Sequence, residues 1–434
     1  MSPTIDSEQI IQINMRHALL AIAKALDFVG VDDMHHGQRV AYMAYECAKR
    51  MTWTEAEQQF TYFSGLIHDC GVSSTEQHLA LLDLFQPEST EVHCLHGYQA
   101  LLKCPVIHQF ANVVRYHHTP WEQLAALNIA ELDKRVAALV FVADRLDFLR
   151  AQYTLDIGEE QIILHETAIA EILQSNRGRL FHPQIVDSMC ELVAIDGFWY
   201  NMNISHIEKM GLSFQQDQLY DQQLSLQEAA ELARFLARIV DAKSPFTFQH
   251  SDKVAILAQQ LALASGISAR TAEMIYIAGL LHDVGKLRTP DGLLHKSASF
   301  SEEEYAQIKR HTVDTSEILV NFFPKSPIGA WASNHHERLD GSGYPFRKTA
   351  NDLDIPSRVI AIADVFQALT QQRPYRDALD LQQVFNIMGP LVQTGKLDKD
   401  IYNLLQQNAE FYFQLSQNNH HESFSEIKAK HFSA

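Results

Sequence analysis

Apolar residues along this chain recur at a helical spacing, and no run alternates as a half-buried strand would. Segments 272–285 and 358–370 are rich in Ala, Leu and Ile with that helical period. No hairpin signal stands out. A polar, Gln-rich stretch at 206–224 interrupts the pattern, and Ser225 with Glu228 then forms a capping-box signature that opens the next helix. The spacing predicts an all-α protein of two tandem helical domains, 1–205 and 225–434, with a polar linker at 206–224. The segment after Asp400 reads as a helix and a loose polar end.

The polar residues set into this pattern repeat. In the second half His250 is followed by His282-Asp283, His311, His335-His336 and Asp364. In the first half His36 is followed by His68-Asp69, His93, His117-His118 and Asp144. From the first histidine to the His-Asp pair is 32 residues in both halves, and from the lone histidine to the His-His pair is 24 in both. Asp27 and Asp241 each stand nine residues before the first histidine of their set. Ten of the 22 histidines belong to this duplication.

The 434 residues suit two domains, and 46% hydrophobic with 20% charged residues is the balance of a soluble globular protein. A net charge of −18 argues against polymeric nucleic acid or an anionic membrane as a partner. An anionic substrate then needs local positive charge, from metals or placed Lys and Arg. The Met1 end shows no signal-peptide pattern, and the apolar stretch 18–31 is broken by Lys24 and Asp27 and too short to span a bilayer. Cys47, Cys70, Cys94, Cys104 and Cys190, without a C-x-x-C, read as buried free thiols in a reducing compartment, so a cytoplasmic protein is expected.

Asp283 and Asp364 each sit in an apolar helical stretch, where an unpaired carboxylate is too costly to keep. With five histidines around them and no matching basic residues, a cation is the expected partner. Imidazole plus a bridging carboxylate suits iron, manganese or a similar divalent ion. Seven ligands are too many for one ion and suit two that share Asp283. Taken singly, each histidine is as well explained by capping a helix or satisfying a carbonyl; the matched intervals favour the metal. His420-His421-Glu422 copies the local string without upstream partners and is assigned no function.

The His/His-Asp/Asp order resembles the HD superfamily of metal-dependent phosphohydrolases. The strings His282-Asp283-Val284-Gly285-Lys286 and His335-His336-Glu337-Arg338-Leu339-Asp340-Gly341-Ser342-Gly343-Tyr344-Pro345 resemble the signatures of the HD-GYP phosphodiesterases. The resemblance covers about 225–400, and more weakly 15–155. It implies two HD-type helical domains and hydrolysis of a 3′,5′-linked cyclic dinucleotide to a linear product. By the same resemblance, His250, His282, Asp283 and Asp364 hold one metal, and Asp283, His311, His335 and His336 the other. A metal-bridged hydroxide is then the nucleophile, because the cations lower the pKa of bound water. Lys286 approaches the scissile phosphate, against the alternative of a solvated helix-end lysine. Arg373 and Arg376 match substrate-contacting positions, though surface ion pairs explain them nearly as well. The loop carrying Tyr344 gates substrate or contacts a partner, either a second copy of the chain or a signalling protein.

Some departures shape the expectation. Phe246 stands where relatives with a third metal carry Glu, so two ions are expected. Gln367 replaces the family's usual Asp and Thr312 its usual Pro; Gln367, near the expected base-binding region, leaves 3′,3′-cGAMP open beside c-di-GMP. The first domain keeps all seven ligand positions, with Asp32 as an added candidate. It has Val72 for the lysine, Thr119-Pro120-Trp121 for the Gly-Tyr-Pro string, and Tyr153 and Asp156 for the arginines. It is expected to bind metal, to lack cyclic-dinucleotide hydrolysis and to serve a regulatory role. The competing readings are a non-catalytic metal- and nucleotide-binding effector and an HD phosphohydrolase acting on another nucleotide.

Overall fold

The computed structural model of the protein describes residues 13–29, 35–72, 85, 90–154, 158–214, 220–243, 250–372 and 377–417. These residues are helix and turn throughout, with isolated bridge pairs and no strand among them. The chain divides into two compact units, Asn14–Gln223, and Leu224–Ala434 with Met1–Ile13.

In the first unit the ligand positions lie on or beside α1 (Met15–Asp27), α2 (His36–Arg50), α3 (Glu55–Ile67), α4 (Thr90–Leu102), α5 (Ala111–Tyr116) and α6 (Glu131–Thr154). A later helix, α7 (Ile204–Ser213), packs in the same unit. The second unit repeats the order with α8 (Leu226–Lys243), α9 (His250–Ala264), α10 (Ala269–Leu281), α11 (His311–Phe322), α12 (Ile328–Ser333) and α13 (Ile355–Thr370), followed late in the chain by α14 (Ala409–Gln417). The Ser225–Glu228 box forms as the sequence predicts, with side chain and backbone bonded reciprocally at 2.8 and 3.2 Å.

Helix α13 shows why Asp364 is unusual. Asp354 caps its first turn by accepting from the Ser357 N–H, and Pro356 supplies a φ suited to helix entry. Val359, Ile360, Ile362, Ala363 and Phe366 are all fully buried, so the helix is apolar on most sides. Each large side chain contributes ~1.5–3 kcal/mol by leaving water. Asp364 is an ionisable group held inside that apolar cylinder.

Two sequence expectations need correction. The helix over 272–285 ends at Leu281; His282 is its cap, and Val284–Arg288 turns as a 3-10 helix. Close approach fixes that break: a Cβ on Gly285 would lie 2.0 Å from the His311 carbonyl oxygen, and one on Gly71 1.9 Å from that of His93. Only glycine lets this turn meet the helix that carries the third histidine.

Nor is 206–224 a free linker in its described residues. α7 buries Ile207, and Arg16 donates to the Gly211 carbonyl at 3.0 Å and to both Asp221 oxygens at 2.9 Å. The buried Tyr220 ring lies 4.3 Å from that of Phe63. A few apolar anchors in a Gln-rich string bind it to the first unit. All five cysteines are free thiols, four buried and Cys190 half-buried. No helix among the described residues is long and apolar enough to cross a membrane.

Candidate metal centres

Helix ends place most of the ligands. The last carbonyls of a helix lack intrahelical donors, and here imidazoles supply them. His282 Nδ1 bonds the Gly279 carbonyl at 2.7 Å, His335 Nδ1 that of Ala332 at 2.7 Å, and His311 Nδ1 that of Ile308 at 2.6 Å. The first unit repeats this with His68 on Gly65 and His117 on Val114, at 2.7 and 2.8 Å. A carbonyl accepts only from N–H, so Nδ1 carries a proton and Nε2 is the edge left to face a ligand. Capping and ligation are therefore done by opposite edges of the same ring.

In the second unit those Nε2 edges converge. His250, His282 and Asp283 form one group and His311, His335 and His336 another, with the ligand atoms in each within 4.8 Å of one another. Asp283 divides its oxygens between them: Oδ2 is 3.3 Å from His282 Nε2, and Oδ1 is 3.6 Å from both His311 and His335 Nε2. Asp364 Oδ1 lies 3.4 Å from His250 Nε2 and 3.8 Å from His282 Nε2.

The electrostatics suit cations. Burial pushes His335 and His336 well below the ordinary imidazole range and His311 down to about 4, so these rings are neutral at pH 7. Burial also opposes ionisation of Asp283, but His282 and Lys286 outweigh it and hold the carboxyl well below its usual range. Asp283 in turn overcomes burial to raise His282 to about 9. A metal cation held between such groups would take the place of that proton.

A direct test of fit is whether buried polar atoms lack partners. His282 Nε2 and Asp283 Oδ1, and in the first unit His68 Nε2 and Asp69 Oδ1, are buried without a hydrogen-bond partner. Such atoms are costly to strand, and they are the atoms that face the centres. The donor set fits a metal.

Lys286 lies in the 3-10 turn after Asp283, with Nζ 2.5 Å from Asp283 Oδ2 and the side chain 25% exposed. The Tyr344 ring packs against His336 at 4.8 Å between centroids. Gln367 is not in a substrate-facing position: it is fully buried, and its amide donates to the Ser416 carbonyl of α14 at 3.5 Å. Packing of α14 against α13 covers it, which a motif comparison does not reveal. Arg373, Arg376, Phe246, Asp32, Asp156 and His420-His421-Glu422 lie outside the described residues.

Residues outside the ligand set also shape the site. Glu337 is buried and accepts the backbone N–H groups of Phe346 and Lys348 at 2.7 and 2.9 Å, clamping the Gly-Tyr-Pro loop beside the His pair. A Cβ on Gly343 would fall 2.4 Å from the Arg338 nitrogen, so glycine is required where the loop folds back. Thr315 donates to the His282 carbonyl and accepts from the Gly285 N–H, stitching α11 to the His-Asp turn. The Glu337 signal was in the string itself, as an acid directly after a His pair.

The first unit gathers all seven of its candidates. Asp69 Oδ1 is 3.5 Å from His93 and His117 Nε2, and Oδ2 is 3.4 and 3.9 Å from His68 and His36 Nε2. His118 Nδ1 lies 3.6 Å from Asp144 Oδ2, and His36 Nε2 3.3 Å from Asp144 Oδ1. Asp147, three residues after Asp144, bonds His36 Nδ1 at 2.8 Å and pairs with Arg39 and Arg150. In the second unit His250 Nδ1 and Gln367 Oε1 are both buried without a partner. Tyr153, at the position of Arg373, stacks on His165 at 4.7 Å.

Residues 234–401 and 34–149 each match a family model described as an HD domain. The chain is 45% identical to 3′3′-cGAMP-specific phosphodiesterase 1 of Vibrio cholerae over 93% of its own length and 94% of the relative's. It is 32% identical to 3′3′-cGAMP-specific phosphodiesterase 3 of the same organism, over 53% of this chain and 50% of that one. A cyclic di-GMP phosphodiesterase of Thermotoga maritima is 35% identical over 39% of this chain and 45% of its own. A crystal structure of a cyclic GMP-AMP-specific phosphodiesterase of V. cholerae shares the fold, with a TM-score of 0.64 over 92% of this chain and 98% of that one at 19% identity. Two HD domains in tandem, matched almost end to end by a relative at 45% identity, mean that this chain belongs to the HD-GYP family of metal-dependent cyclic-dinucleotide phosphodiesterases.

Proposed function

We propose that the second unit hydrolyses 3′,3′-cGAMP in preference to c-di-GMP, giving the linear dinucleotide, and that it does so with two divalent ions. The observation that carries this is the division of the Asp283 oxygens between two histidine groups, the geometry of a bridging carboxylate. His250, His282 and Asp364 serve one ion and His311, His335 and His336 the other. The preference for cGAMP is supported by the name of the relative that matches nearly the whole chain. When bound, the ions supply a water nucleophile at neutral pH and neutralise the phosphoryl oxygens.

Lys286 holds the scissile phosphate. With Asp283 engaged as a metal ligand, the Lys286 ammonium would be released from the carboxylate, and its partly exposed, flexible stem lets it turn to the substrate. Tyr344 faces the substrate from beside His336, and Arg373 and Arg376 are assigned to substrate binding by their match to the family pattern. A cavity of about 540 Å³ next to Tyr344 is lined by Tyr305, Lys309, Arg310 and Arg347, with Asp314 and Glu317 also on its wall. Two rings and three cations suit the base and phosphate of a nucleotide. The first unit binds metal and regulates without hydrolysing a cyclic dinucleotide itself.

The test is turnover of 3′,3′-cGAMP and c-di-GMP by the Mn²⁺- or Fe²⁺-loaded chain at matched concentrations. Faster linearisation of cGAMP is expected. Equal or faster c-di-GMP turnover overturns the preference, and no turnover of either overturns the reading.

A further inference from the structure

We infer that the first unit holds one divalent ion and not two, bound by Asp69, His93, His117 and His118, and that the Arg145 guanidinium stands in for the second ion beside Asp144. This deepens the reading of that unit as metal-competent and rests on it.

The two units differ in what neutralises the second aspartate. Among the described residues of the second unit, Asp364 has no Lys or Arg within 4 Å, only His250 and His282. In the first unit Arg145 folds back onto its neighbour, with Nε 3.0 Å from Asp144 Oδ2 and Nη2 3.1 Å from Oδ1. Both side chains are nearly inaccessible, at 2% and 3% exposure. The guanidinium also lies 5.5 Å from the Phe148 ring centre. The residue at the matching place in the second unit is Val365. Around Asp147, Arg39 and Arg150 add two more buried guanidinium groups, where the second unit has the neutral Gln367.

That half of the first centre thus has three arginines facing two aspartates. His36, His68 and Asp69 also come within 4.8 Å of one another, but a dication among them and Asp144 would stand against the buried Arg145 guanidinium, where like charges repel strongly. Among the described residues no Lys or Arg pairs with Asp69, which meets only histidines in the other half. Asp69, His93, His117 and His118 bring all four ligand atoms within 4.8 Å of one another, three imidazoles and one carboxylate, a complete set for one ion.

Metal content of the full-length chain tests this. In a chain carrying both Asp283→Ala and His335→Ala, loaded with Mn²⁺ and desalted, one ion per chain is expected by elemental analysis. Adding His117→Ala should remove it, adding Asp144→Asn should leave it, and adding Arg145→Val should raise the count towards two. Two ions with Arg145 intact, no ion, or an ion lost with Asp144→Asn but kept with His117→Ala each overturn the inference. An Arg145→Val chain that folds and gains no ion overturns the role of the arginine. Since loss of a buried arginine can itself unfold the unit, paramagnetic resonance of Mn²⁺-loaded wild type gives a second reading. The signal of an isolated ion beside that of a coupled pair is expected, and a coupled signal alone contradicts it. Failure of the two-ion reading of the second unit would appear separately, as a difference other than two ions between wild type and the Asp283→Ala, His335→Ala chain.

Discussion

Asp241 shows how one buried carboxyl sets a pH dependence. It is 6% exposed, and burial pushes its carboxyl up to about 8, against the opposing bond from Ser251. A carboxyl whose folded pKa exceeds its unfolded value of 3.8 binds its proton more tightly when folded. The contribution is therefore fully present below the unfolded value and is lost as pH rises through the folded one. Stability of the metal-stripped chain should fall between pH ~4 and ~8 by up to ~1.4 kcal/mol per pH unit from this residue. Asp241→Asn should flatten that slope in thermal melts; an unchanged slope contradicts it. At Lys286 the prediction concerns rate. Lys286→Ala should lower kcat by ~10²–10⁴-fold, as expected for an acid or charge acting on phosphate. Bound metal should stay at the wild-type level, and metal loss equal to that of His282→Ala would rule this role out.

At the scale of elements, the centres depend on helices ending where they do. The capping carbonyls of Gly279, Ala332 and Ile308 fix the rings, and Gly285 lets the His-Asp turn meet α11. Gly285→Ala should therefore destabilise the second unit by several times the ~1 kcal/mol typical of single substitutions and lower its metal content, read by melting and elemental analysis. Glu337 acts on a loop. With its carboxylate gone, two backbone N–H groups lose a charged acceptor, each worth ~1.5–3 kcal/mol. Glu337→Ala should speed amide exchange at Phe346 and Lys348 and lower kcat/KM; unchanged exchange at both amides contradicts the clamp. The helical class was legible in the apolar spacing, and the Ser225 start in its capping box. The helix end at Leu281 was not, because it depends on His311, a residue 29 positions beyond His282 in the chain.

For the whole molecule, the duplication was readable because equal ligand intervals survive in sequence even where loops change. What could not be read were contacts made across long separations. Gln367 looked like a base-reading amide until α14, 49 residues away, covered it. Residues 206–224 looked like a linker because their Gln content hid the anchors Ile207 and Tyr220. Arg145 gave no local signal, since a lysine or arginine after an aspartate is ordinary on a helix surface and decisive only when both are buried. The duplication also frames the central question of which centre performs the chemistry. The most direct measurement is 3′,3′-cGAMP turnover by the full-length chain carrying either Asp283→Ala or Asp69→Ala, with folding checked by circular dichroism. Abolished turnover in the first and retained turnover in the second are expected. Turnover surviving Asp283→Ala, or lost in a folded Asp69→Ala chain that keeps two ions in its second unit, contradicts a catalytic second unit acting through a bridging Asp283.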